Sequence, residues 1–191
     1  MALSLSKGSN VSLTKTAPGV QKFNVGLGWD ARSTDGKDFD LDAFALLVTE
    51  AGTVRNDSDF VFFNNTKSEA DAVVYGGDNL TGEGEGDDET IYVNLEAIPA
   101  DIAKVIIAVS IYEAEERKQV FGQVSNAFVR LVDSSTDNEE VRFDLGEDYS
   151  TETAVVFAEI YRNNGEWKFR AIGQGYSSGM AGIATNYGIN V

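Results

Sequence analysis

Apolar side chains recur at every second position along most of this chain, and only rarely at the 3.6-residue spacing of a helix. Phe23, Val25, Leu27 and Trp29 alternate with Asn24, Gly26 and Gly28, a period that sets one face of a strand on a core. Short apolar runs of strand length follow at 43–48, 60–63 and 72–75, and Ile91, Val93 and Leu95 alternate again. The β-branched run from Lys104 to Tyr112 suits a central strand. Segments 127–132 and 141–145 flank a polar Ser/Thr/Asp/Asn connection, which predicts a hairpin. A second hairpin is predicted where 155–162 passes through Asn163-Asn164-Gly165 into 166–172, because Asn-Gly supplies the positive φ of a tight turn. Two short helices are expected, at 96–104 with Pro99 near its start and at 178–187. Some ten evenly spaced strands with so few helices predict an all-β fold, a β-sandwich with a few short helices. At 191 residues, a single domain spanning 1–191 is expected.

Two segments break this pattern with carboxylates. Asp38, Asp40 and Asp42 alternate with Phe39 and Leu41, so in a strand the acids line one face while the apolar pair enters the core. Taken alone, that alternation suits a solvated edge strand as well as a cation site. The second segment runs Gly77-Asp78-Asn79-Leu80-Thr81-Gly82-Glu83-Gly84-Glu85-Gly86-Asp87-Asp88-Glu89. From Asp71 to Glu89 there are seven carboxylates and no Lys or Arg. Two like charges 5 Å apart repel by roughly 3 kcal/mol at an effective dielectric of 20, so a compact loop of this kind needs a cation or must splay into water. Gly82, Gly84 and Gly86 let the backbone curl and turn carbonyls inward, and oxygen donors alone suit a hard divalent ion, calcium first. The twelve residues Asp78 to Glu89 are not an EF-hand: Leu80 and Gly82 stand at ligand positions, Glu83 replaces the turn glycine, and the flanks are strand-like.

The candidate metal ligands are therefore Asp40 and Asp42 from the first segment, with Asp78, Asn79 and Thr81 opening the second. Glu83, Glu85, Asp87, Asp88 and Glu89 complete the set. Asn64, Asn65 and Asp30 are further oxygen donors. Glu113, Glu115 and Glu116 near Arg117 read as a solvated turn, Gly173-Gln174-Gly175-Tyr176 as a turn without a phosphate-binding fingerprint, and Trp29 and Trp167 as core or sheet-face aromatics.

Composition narrows the chemistry further. The 31 Asp and Glu against 15 Lys and Arg give a formal charge of −16, a field that repels nucleic acid and anionic lipid unless a bound metal inverts it locally. There is no cysteine and no histidine, which excludes disulfides, Cys/His zinc sites and nucleophilic catalysis through imidazole. The first eight residues lack the basic-then-apolar order of a signal peptide, and no apolar run approaches 18 residues. A soluble cytoplasmic protein is expected.

Several pieces together carry a resemblance: Gly28-Trp29-Asp30, Phe39 to Ala43 running into Leu46-Leu47, and the acidic stretch Gly77 to Glu89. So do Phe121-Gly122-Gln123-Val124 through Phe128-Val129-Arg130, and Ser150-Thr151-Glu152-Thr153 through Gly173-Gln174-Gly175-Tyr176. In these, over nearly its whole length, the chain resembles the TerD family of tellurium-resistance and calcium-binding stress proteins. The resemblance implies a β-sandwich binding about two Ca2+ through its acidic segments. It also implies a role in tellurite and stress resistance beside companion Ter proteins, one of them a membrane component that would place this chain at the inner membrane through partners. The residues themselves set a limit: tellurite is an anion, the surface is anionic, and no thiol is present to reduce or coordinate it. Direct tellurite binding is not expected. A non-enzymatic module assembling protein or membrane complexes in response to calcium is the leading reading. The alternatives are a calcium-bridged binder of anionic membrane and a metal-dependent hydrolase using paired carboxylates.

Overall fold

The computed structural model describes residues 2–31, 39–77, 86–146 and 149–190. Twelve strands lie among them, in two six-stranded sheets. One sheet contains β1 (Leu3–Leu5), β3 (Lys22–Ala31), β6 (Val73–Tyr75), β7 (Glu89–Asn94), β9 (Val124–Asp133) and β10 (Glu139–Asp144), in the order β1-β10-β9-β3-β7-β6. The other contains β2 (Asn10–Ser12), β4 (Leu41–Thr49), β5 (Phe60–Val61), β8 (Ile102–Ile111), β11 (Ala154–Asn163) and β12 (Glu166–Tyr176), ordered β2-β12-β11-β8-β4-β5. β1 runs parallel to β10; the other strand pairings among the described residues are antiparallel.

The sandwich predicted from period-two alternation is the fold observed. Phe23, Val25, Leu27, Ile91 and Val93 face inward from the first sheet and meet Ala43, Ala45, Leu47, Val105 and Ile107 of the second. The second sheet is buried on its outer face too. There Phe44, Leu46, Ile106 and Ala108 pack with Ile183 and Ala184 of a helix, Gly179–Asn186. Burial on both faces is why 43–48 and 104–112 read as continuous apolar runs rather than alternating ones. This helix matches the expected 178–187 segment. Two one-turn helices, Leu13–Thr16 and Ala114–Arg117, and three 3-10 turns, Asp57–Asp59, Glu69–Asp71 and Phe121–Gln123, complete the described elements.

Both hairpins form. Asn164 and Gly165 take φ values of 51° and 75° between β11 and β12, the paired positive φ that the Asn-Gly signal predicts. In the β9–β10 turn the Asp133 carboxylate accepts from Ser135 N–H at 2.9 Å and from the Ser135 and Thr136 hydroxyls at 2.8 and 2.7 Å. These donors, the Ser135 backbone first, hold its pKa below the ordinary 3.8. A depressed carboxylate pKa favours the folded state above the unfolded-state value, and the benefit fades as pH falls through the lower folded one. Carboxyl-detected NMR titration should place Asp133 below the ordinary aspartate value of 3.8; a value at or above it would contradict the turn geometry.

Three expectations are corrected. Residues 96–104 are not a helix. They form turns leading into β8 at Ile102, whose N–H donates to Pro99 O at 3.1 Å. Too few residues separate β7 from the β-branched strand to close a helix, and Pro99 removes one donor. The Gly173–Tyr176 segment is not a turn but the end of β12, with a register shift opposite Val156 to Ala158. At that bulge Gly173 has φ +62°, and its carbonyl accepts the Tyr149 hydroxyl at 2.6 Å. The 60–63 strand stops at Val61, because Phe62 and Asn65 pair across a tight turn. β1 and β2, three residues each, are too short to show a period.

Candidate metal-binding end of the sandwich

The two acidic segments are far apart in sequence, yet the topology delivers them to one end of the molecule. β4 and β7 begin there, and β3 ends there. Phe39 and Leu41 are 2% and 0% exposed, inside the core as the alternation predicts. Asp42, 5% exposed, falls on the opposite face from Leu41. Asp40 is half-buried, its carboxylate 4.0 Å from the Arg117 guanidinium, and its carbonyl accepts from Tyr112 N–H.

The limb that leaves the acidic loop is fastened residue by residue. Glu89 opens β7 opposite Leu27 and so points between the sheets, 1% exposed. Its Oε2 lies 3.5 Å from the Ala43 N–H of β4 in the facing sheet, a long hydrogen bond. Asp88 accepts from Trp29 N–H through Oδ2 and donates its own N–H to Leu27 O, both at 2.8 Å. Asp87 lies over Gly26, where any Cβ would overlap its carboxylate. Its Oδ1 accepts from Arg130 Nε at 2.7 Å, and Arg130 Nη1 reaches Glu139 at 3.0 Å. The hydrogen bond to Asp87 also raises the Arg130 pKa. At Gly28 the vacant Cβ position is filled by Phe128, whose ring carries the Arg142 guanidinium 3.9 Å from its centroid.

Of the expected ligands, then, Asp40, Asp42, Asp87, Asp88 and Glu89 share one end of the sandwich, and Asp87 is committed to Arg130. Asp78, Asn79, Thr81, Glu83 and Glu85 lie outside the described residues, as does Asp38. Among the described residues no three Asp, Glu, His or Cys side chains are grouped closely enough to hold a metal ion. The other candidates have other work. Asp30 accepts from Asn126 Nδ2 at 2.6 Å, and Asn65 donates to Phe60 O at 2.7 Å across its turn. Glu113 pairs with Arg117 in the one-turn helix, at 3.3 Å.

Arg130 and the two glycines beneath the loop limb were missed by sequence reasoning. The signal was present: a single arginine in an apolar strand, and glycines at alternate positions of another, mark a sheet face on which something else is laid. Replacing Arg130 with Ala should cost about 1 kcal/mol, as for a partly exposed ion-pair network. It should also speed hydrogen exchange at the Asp88 amide relative to Val25; equal protection at Asp88 in both proteins would show that Arg130 does not hold the limb.

A family model for the TerD domain matches residues 1–187. The chain belongs to the TerD family. It is 57% identical over 190 residues to the tellurium resistance protein TerD of Serratia marcescens, covering 100% of this chain and 99% of that one. Identity to general stress protein 16U of Bacillus subtilis is 54% over 192 residues, all of both chains. A solved structure of a Streptomyces coelicolor homologue of the telluride resistance protein TerD superposes with a TM-score of 0.68 at 26% identity, covering 87% of this chain and 96% of that one. The TerD family is thus one of tellurium-resistance and stress-response proteins, and the sandwich is its fold. No described helix is long and apolar enough to cross a membrane.

Proposed function

We propose that this TerD-family chain is a non-enzymatic stress-response module that binds about two Ca2+ at its acidic end and acts by calcium-dependent assembly with other proteins. The carrying observation is the approach of Glu89 to Ala43, which brings the 40–42 and 87–89 segments to the same edge of the facing sheets. The donor set there is oxygen only, as a hard divalent ion requires. Two further facts support a cation. Asp42 and Glu89 are buried carboxylates, and a bound cation would add to the partners that offset the cost of burying their charge. The Trp29 indole N–H is also buried at this end without a hydrogen-bond partner among the described residues, so a carboxylate or a cation-bound water is the acceptor it lacks.

Asp40, Asp42, Asp88 and Glu89 would hold the ions together with Asp78, Asn79, Thr81, Glu83 and Glu85, and Asp87 would brace the loop through Arg130. A bound cation neutralises part of a field that otherwise repels acidic partners. Recruitment of companion Ter proteins, and of a membrane-associated complex through them, follows from that change in surface. A direct bridge to anionic lipid is disfavoured, because Leu80 is the one apolar residue between Asp78 and Glu89. Calorimetric titration of chelator-stripped protein with calcium, then magnesium, tests the proposal. Two calcium equivalents with magnesium much weaker are expected; no calcium heat would overturn it.

A further inference from the structure

We propose that a cleft at the opposite end of the sandwich binds a neutral saccharide of one or two rings. The cleft has a volume of about 550 Å3 and lies where β3 begins and β7 ends, within the range of small-molecule sites. Its floor is the outer face of the first sheet. Asn24 stands directly across from Tyr92, and Lys22 from Asn94. Since Phe23 and Val93 point inward, these four share the outward face.

The chemistry of that floor is specific. Tyr92 presents an aromatic ring that is 45% exposed, a platform for the apolar C–H face of a sugar ring. Asn94 Oδ1 is buried with no hydrogen-bond partner among the described residues. A buried acceptor left unmade costs free energy, so the site favours an occupant with an O–H or N–H to donate. The Asn24 carbonyl oxygen is already taken by the Ser134 hydroxyl at 2.7 Å, which leaves the Asn24 amide as a donor. A hydroxyl-rich ligand supplies both partners at once.

Charge selects against other classes. The chain carries −16 overall, which opposes polyanions such as nucleotides, while the Lys22 ammonium on the floor opposes a cationic ligand. Among the described residues the cleft's one carboxylate is Asp71, which lies 3.1 Å from Lys67, so the negative charge offered to a cationic ligand is partly offset. The wall holding Asp71 is itself unusual: Ala70 and Asp71 adopt φ of 55° and 52°, a left-handed conformation costly for non-glycine residues and frequent at functional sites.

The test is saturation-transfer NMR on the full chain in chelator, with glucose, galactose, mannose and N-acetylglucosamine as probes. At least one should bind saturably, and Tyr92→Ala and Asn94→Ala should each weaken it at least tenfold (about 1.4 kcal/mol) at unchanged melting temperature. No transfer to any probe, or undiminished binding in Tyr92→Ala, would overturn the proposal. Tyr92→Ala decides the matter if Asn94→Ala fails to fold, because Tyr92 lies outside the core, 45% exposed. With calcium absent throughout, the outcome is independent of the acidic end.

Discussion

Calcium at a hundredfold excess over Kd should raise the melting temperature of the chelator-stripped protein by about 5–10 °C for each ion bound. A ligand that binds only the folded state stabilises it by RT ln(1 + [L]/Kd), about 2.7 kcal/mol per site at that ratio. For a chain of 191 residues, each kcal/mol is worth about 2–4 °C. Magnesium should give much less, because it demands near-octahedral geometry and releases water reluctantly. Asp40→Asn and Asp78→Asn should abolish the gain while barely changing the melting point without calcium, since each removes charge and almost no volume. A calcium gain that survives intact in both variants would remove those residues from the site. Pull-down of companion Ter proteins, with and without calcium, then separates an assembly switch from a permanent brace.

The sequence made the fold legible wherever one face of a strand is buried and the other wet. Phe23, Val25, Leu27 and Trp29 announce β3 because the inner face takes every second side chain. The Asn164-Gly165 turn was legible for a different reason, since few residue pairs accept two positive φ angles. Pro99 misled: it can open a helix or interrupt a turn, and only the distance between β7 and β8 decides between them. The bulge at Gly173 was hidden because the Tyr149 hydroxyl that its carbonyl accepts comes from 24 residues away. At the acidic end, charge density and oxygen chemistry were evident from composition alone. The partners were not: Ala43, Trp29 and Arg130 meet Glu89, Asp88 and Asp87 only through strand pairing and sheet stacking, neither of which has a local signal.

Phe39→Ala should destabilise the fold by about 3–5 kcal/mol, the usual cost of emptying a fully buried aromatic site, measured by denaturant unfolding. The side chain is 2% exposed and belongs to the core between the sheets. Its position gives the substitution a second consequence. Phe39 and Leu41 enter the core on either side of Asp40 and just before Asp42, so their burial fixes which way both carboxylates point. Loss of the ring should therefore weaken calcium binding as well as stability, whereas Phe39→Leu should preserve binding at a smaller stability cost. Phe169→Ala is the necessary contrast. Phe169 is 0% exposed in the same core, on β12, two strands removed from β8 and three from β4. It should cost similar stability yet leave the calcium affinity of the folded protein unchanged. Equal loss of affinity in both variants would mean that calcium senses general looseness of the sandwich; loss in Phe39→Ala alone would tie the ions to the orientation of this one acidic segment.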